Sequence, residues 1–180
     1  MTLLSLAAVV FIASADTLRI SIAYVGDIED NDTAQVTIKT LEAANPGDEV
    51  YIYMTSDGGR VDIGYNIVEA MQHSKAKVVV VVNEWAASMA ANIVCEAPNY
   101  VIGPKATLMW HMAFYVDDDG KRVALDPKDP GDKAIIDRAD QTFRDCGFLT
   151  EKEIKLMDNG GEVYLSGKDI HDRLKKMSRG

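Results

Sequence analysis

The residues best suited to do chemistry in this chain are Ser88, His111 and the pair Gly58-Gly59. Ser88 follows five consecutive valines (residues 78–82) and the segment Asn83-Glu84-Trp85, which reads as the end of a buried strand. Ser88 lies within Ala86-Ala87-Ser88-Met89-Ala90-Ala91-Asn92-Ile93-Val94, which reads as the start of a helix. A hydroxyl at such a turn lies beside backbone N–H groups that lack intrahelical partners, at the positive end of the helix dipole. A nucleophile can be exposed there and an oxyanion held. The small residues Ala86 and Ala87 leave room for a substrate backbone. A serine at this position is also a favoured helix N-cap, and on this segment alone the cap is the simpler reading. His111 stands among Leu108, Met109, Trp110 and Met112 in a predicted strand. Alone it reads as a core histidine. Beside a serine hydroxyl it becomes a general base, since imidazole titrates near ~6.5. Gly58-Gly59, in Ser56-Asp57-Gly58-Gly59, allows close backbone approach and offers N–H donors; taken alone it is an ordinary turn. His73, at a helix end, and His171, on a polar final helix, read as solvent-facing.

These residues need a scaffold that brings strand ends together. Residues 18–25 alternate as a strand, and residues 31–44 read as a helix stopped by Asn45-Pro46-Gly47-Asp48. Residues 50–54 form a second strand, and residues 61–72 carry apolar positions at helical spacing. Residues 100–102 and 106–114 are further strand candidates. Asp117-Asp118-Asp119-Gly120 signals a hairpin between 115–116 and 122–124. Residues 126–132 read as a polar loop, residues 133–144 and 150–157 as helices, and residues 163–165 as a short strand. Ser166 caps a last helix to about residue 177. The alternation predicts an α/β fold of repeated βαβ units with a parallel sheet. In such a sheet, sites gather at the carboxyl ends of the strands. The Gly-Gly turn, Ser88 and His111 all fall at such ends.

A chain of 180 residues with 47% hydrophobic content fits one folded domain and excludes a disordered protein. The net charge is −9, and no Lys/Arg cluster appears before the last few residues, which argues against nucleic-acid binding. Cys95 and Cys146 match no metal-ligand spacing. The simplest expectation is a reduced, cytoplasmic protein with Cys95 on an apolar helix face. Residues 3–13 are nearly all apolar, and Ala13-Ser14-Ala15 resembles a signal-peptidase site, although no Lys or Arg precedes the run. Residues 1–17 therefore read as an N-terminal arm or a signal segment, the latter implying export. The run is too short to span a membrane as a helix. Residues 18–180 form the expected domain.

In order, the chain carries Ser56-Asp57-Gly58-Gly59, Ala86-Ala87-Ser88-Met89 and Met109-Trp110-His111. Together these resemble the proteolytic subunit of the Clp protease, the ClpP family of serine peptidases. The family's motifs there are Ser-Pro-Gly-Gly, Ala-Ala-Ser-Met-Gly and Met-Ile-His. Gly26-Asp27-Ile28 and Leu41-Glu42-Ala43 match its opening strand and helix, and the resemblance covers about residues 18–177. It implies a ClpP/crotonase-like fold. Ser88 would be the nucleophile and His111 the base. The N–H groups of Gly59 and Met89 would form the oxyanion hole, with Gly58 and Asp57 in the substrate-binding turn. The family's third member is a carboxylate before a hydrophobic-Leu-Ser segment. Glu162, ahead of Val163-Tyr164-Leu165-Ser166, fills that slot, with Asp158 as the competitor and a solvated loop charge as the plain alternative.

The resemblance further implies a homo-oligomeric ring, heptameric in the family, acting on peptides or unfolded proteins without a cofactor or metal. An ATP-driven AAA+ unfoldase is the implied partner, since this chain has no GxxxxGK[ST] run of its own. Departures are Asp57 for Pro, Glu84 and Ala90 for Gly, and Met112-Ala113 after the histidine. Residues 115–132 are unlike the family's handle region. Asp57 and Glu84 would add carboxylates near the site. Two other readings stand beside the peptidase: a catalytically inactive scaffold subunit, and a crotonase-type enzyme acting on acyl thioesters.

Overall fold

The computed structural model describes residues 19–30 and 32–178; the expectations for residues 1–17 lie outside them. A six-stranded sheet forms the centre, and its main path runs in the order β1-β2-β3-β5-β8. These strands are β1 (Ile20–Val25), β2 (Glu49–Ser56), β3 (Lys77–Ala87), β5 (Thr107–Trp110) and β8 (Val163–Ser166). β4 (Tyr100–Ile102) lies beside the first half of β3. The helices are α1 (Asp32–Ala43), α2 (Val61–His73), α3 (Met89–Glu96), α4 (Pro130–Cys146), α5 (Glu151–Asp158) and α6 (Gly167–Met177). β6 (Phe114–Val116) and β7 (Arg122–Ala124) form a separate antiparallel hairpin.

The hydrophobic pattern explains the layering. Residues 78–82 of β3 are buried on both faces, as expected for a strand at the centre of a covered sheet. In β2, Val50, Ile52, Met54 and Ser56 are buried while the intervening residues are partly or fully open. Trp110, Phe143 and Phe148 fill the core, Phe148 lying edge-on to both Tyr100 and Trp110. Helix ends follow local chemistry. Asp129 caps α4 through the N–H groups of Gly131 and Asp132, and capping boxes pair Thr150 with Glu153 and Ser166 with Asp169.

The structure corrects the sequence expectations at four places. β3 does not stop at Asn83 but continues to Ala87, because Trp85, Ala86 and Ala87 pair with Thr107, Leu108 and Met109 of β5. The strand expected over 106–114 ends at Trp110, so His111 stands just beyond it and is only partly buried. β8 runs antiparallel to β5, so the sheet is not wholly parallel. Cys95 and Cys146 are not reduced: they form a disulfide between α3 and α4. Such bonds persist in oxidising surroundings, so the cytoplasmic expectation loses the support it drew from free thiols. No helix among the described residues is long and apolar enough to cross a membrane.

Candidate active site

The backbone at Ser88 is unusual. It has φ 55° and ψ −125°, and among the described residues it is the one non-glycine with positive φ. A β-carbon in this region is strained, and such strain persists where the surrounding structure holds it. Here the holding is visible. The Ser88 N–H donates to the Met109 carbonyl at 2.8 Å, continuing the β3–β5 ladder, while the Ser88 carbonyl accepts from the Asn92 N–H at 3.2 Å and opens α3. The strand-to-helix change therefore falls on this single residue. Ser88 occupies the N-cap position, yet its side chain makes no capping hydrogen bond. The cap reading fails, and Oγ is left uncommitted among the described residues. A serine at a sharp strand-to-helix joint with a free hydroxyl is the arrangement of a nucleophile elbow.

The Gly-Gly turn is packed against this joint. Gly58 has φ 95° and Gly59 φ 140°, a region open to glycine. A β-carbon on Gly58 would lie 2.7 Å from both the Ala87 carbonyl oxygen and the Ser88 β-carbon; one on Gly59 would lie 2.2 Å from the Ile28 carbonyl oxygen. Ile28 clamps the turn by donating to the Gly58 carbonyl and accepting from the Arg60 N–H, each at 2.7 Å. That parallel bridge turns the Gly59 N–H away from Ile28. Met89 begins α3, so its N–H has no intrahelical acceptor.

Ser88, His111, Asp57, Gly58, Gly59 and Met89 line one cleft of about 1100 Å³. His111 and Ser88 come from the carboxyl ends of neighbouring strands. The Nδ1 of His111 lies 2.7 Å from the Met112 carbonyl oxygen. With Nδ1–H as donor, that contact fixes the tautomer in which Nε2 carries the lone pair. The imidazole stacks on Phe114, with ring centroids 5.1 Å apart.

Glu162 is brought to His111 by strand register. The antiparallel pairing of β5 with β8 ends with Trp110 against Val163, and His111 follows the one while Glu162 precedes the other, so both lie at the same end of the pair. Asp158 is the exposed last residue of α5 and has no such register. The Glu162 carboxylate accepts from Tyr164 Oη at 2.6 Å and from Arg122 Nη1 at 3.3 Å. These two bonds, with a smaller contribution from the His111 charge, lower its pKa and keep it ionised. Arg122 also lies 4.5 Å over the Phe114 ring. The β6–β7 hairpin thus supplies Phe114 and Arg122, joining His111 to Glu162 through a stack and an ion pair. Sequence reasoning missed both. Their signal was the arginine and aromatic on facing strands of the hairpin.

The added carboxylates behave differently from each other. Asp57 lines the cleft but accepts a 2.6 Å hydrogen bond from Trp85 Nε1. Glu84 is exposed and does not line the cleft. No group of three or more His, Cys, Asp or Glu side chains among the described residues is placed to hold a metal.

The model of the Clp protease family matches residues 6–116, more than half of the sequence. The chain belongs to the Clp protease family. It is 37% identical over 81 residues to the ATP-dependent Clp protease proteolytic subunit 1 of Synechococcus sp. (strain CC9902). It matches the proteolytic subunit 2 of Synechococcus sp. (strain CC9605) and of Parasynechococcus marenigrum (strain WH8102) to the same degree. Each match takes in 43% of this chain and spans only 41% of the relative. Among solved structures, a point mutant of ClpP1 from Listeria monocytogenes superposes with a TM-score of 0.62 at 21% identity, over 86% of each chain. That likeness carries the fold, a mixed α/β architecture on a mostly parallel sheet.

Proposed function

We propose that this chain is a serine peptidase of ClpP type that cleaves peptides or unfolded proteins. The observation that carries the reading is Ser88. It has strained backbone, an uncommitted hydroxyl and a position in the cleft that also holds His111. Ser88 Oγ attacks the substrate carbonyl as His111 Nε2 takes its proton. The N–H groups of Gly59 and Met89 receive the oxyanion; losing one such donor typically costs ~2.7–4 kcal/mol of transition-state stabilisation. The tetrahedral intermediate collapses as His111 returns the proton to the leaving amine. Water then hydrolyses the acyl-enzyme by the same proton relay. Glu162 steadies the imidazolium that forms in each half-reaction. Family membership supports a self-assembled ring and an ATP-driven unfoldase as partner.

A second reading, an inactive scaffold subunit, draws on one feature. The Glu162 carboxylate is held by Tyr164 and Arg122, while His111 Nδ1 faces a backbone carbonyl. Intact-mass measurement after incubation with a fluorophosphonate probe separates the two. One adduct per chain is expected, absent from Ser88→Ala and strongly slowed in His111→Ala. A folded protein that gains no adduct refutes the peptidase.

A further inference from the structure

Resting on the peptidase reading, the side chain that precedes the attacked carbonyl must enter the cleft next to Ser88 and Met89. One residue there is out of keeping with its surroundings. Asn92 lies one turn along α3 from Ser88, on the same helix face. It lines the cleft, is only 9% exposed, and its carboxamide makes no hydrogen bond among the described residues. Its amide atoms are not sealed in the core but open on the cleft, where they can meet a ligand. Tyr65 of α2 lines the same cleft, and its hydroxyl also has no hydrogen-bond partner among the described residues. Its ring lies under the Arg138 guanidinium, 3.4 Å from the centroid. The remaining walls here are apolar: Val61, Ile135 and Ala139.

The chemistry of these groups selects among ligands. A carboxamide and a phenol each offer a donor and an acceptor. A ligand group that answers both is another primary amide. A carboxylate would enter a cleft lined by Asp27, Asp57 and Asp62 on a chain of net charge −9. An ammonium or guanidinium only donates, and would leave the carboxamide N–H groups of Asn92 unanswered. An aliphatic side chain would fit the walls but leave the Asn92 amide unanswered, which a site built for hydrogen bonding disfavours strongly. We propose that Asn92, assisted by Tyr65, is the specificity-determining residue of this pocket and selects peptides with glutamine or asparagine immediately before the cleaved bond.

The test uses binding, so that it stands apart from catalysis. The N-acetylated peptides Ala-Ala-Gln, Ala-Ala-Leu and Ala-Ala-Lys are titrated into the full-length Ser88→Ala protein by calorimetry. The glutamine peptide should bind at least ~10-fold tighter than the other two. Adding Asn92→Leu should reverse the order of the glutamine and leucine peptides. Adding Asn92→Asp, of the same shape, should favour the lysine peptide and serves if the leucine variant fails to fold. Equal or tighter binding of the leucine or lysine peptide to the Ser88→Ala protein overturns the inference. So does an order unchanged by either Asn92 variant, or no binding of any peptide. Fluorophosphonate labelling of the wild type reports separately on the peptidase. An unlabelled Ser88 with the glutamine preference intact would remove the peptidase reading and leave the pocket; a labelled Ser88 without that preference would do the opposite.

Discussion

Breaking the Cys95–Cys146 bond should destabilise the protein by about 4 kcal/mol while leaving the chemistry at Ser88 nearly unchanged. The magnitude follows from the 51 residues that separate the two cysteines. A cross-link removes loop-closure entropy from the unfolded chain in proportion to the logarithm of that length, which gives about 4 kcal/mol at 25 °C. For a chain of this size each kcal/mol moves the melting temperature by about 2–4 °C, so the expected loss is about 8–16 °C. The locality follows from position. Cys95 lies near the C-terminal end of α3, about two turns from Ser88, and the strand ladders that hold Ser88 and His111 do not involve it. The assay is a thermal melt of the wild type with and without reductant, beside Cys95→Ala, Cys146→Ala and the double variant. All three variants and the reduced wild type should melt together, well below the oxidised protein. Ser88 labelling rates at 25 °C should agree within about twofold. Two titratable thiols per chain in protein purified without reductant would refute the reasoning. So would melts that agree within about 1 °C.

Three further outcomes are expected. Glu162→Gln should lower peptidase kcat by ~10²-fold or more, because an amide cannot balance the charge of the imidazolium, while Asp158→Asn should change it little; paired kinetics with a peptide substrate would show the reverse if the acid were Asp158. Gly58→Ala should abolish Ser88 labelling and cost roughly 1–3 kcal/mol of stability, since its β-carbon would press on Ala87 and Ser88 at 2.7 Å; denaturant melts beside probe labelling would report both. Glu153 is held at about 2, from an ordinary 4.5, chiefly by hydrogen bonds from Arg173 and with help from Thr150. Its depressed pKa means that the stabilisation is full above about 4.5 and lost as pH falls toward 2. Glu153→Gln should therefore be less stable than wild type at neutral pH and converge with it in acid, as melts across that range would show.

The elements that carry the site were legible where the signal is local. The five valines, the helical spacing over 61–72 and the Asp-rich hairpin turn each encode their own conformation, and motif order located Ser88, His111 and the Gly-Gly turn. What escaped depends on distant partners. Residues 83–87 look like a strand end until β5 is known to lie alongside. Nothing in the alternation of residues 163–165 says which way β8 runs, yet that direction brings Glu162 to the same end of the β5–β8 pair as His111. The cysteines are bridged because α3 packs on α4, a contact between segments 51 residues apart. Asn92 had a faint signal of its own, the one polar residue in the run 89–94. Its meaning appears only when the cleft is seen to open beside it.

β8 is the last strand of the sheet to leave the ribosome, and Glu162 arrives with it. By the time residue 125 has emerged, Ser88, His111 and the Gly58-Gly59 turn have all been made, but the lane along β5 is vacant and Glu162 is still to come. Ile135 and Ala139, which complete the cleft on α4, are also still to come. Under the peptidase reading, the nascent chain is unarmed for most of its synthesis. The position of the strand in the gene works as a safety catch, which probe labelling of ribosome-stalled chains of increasing length would see released only after residue 166.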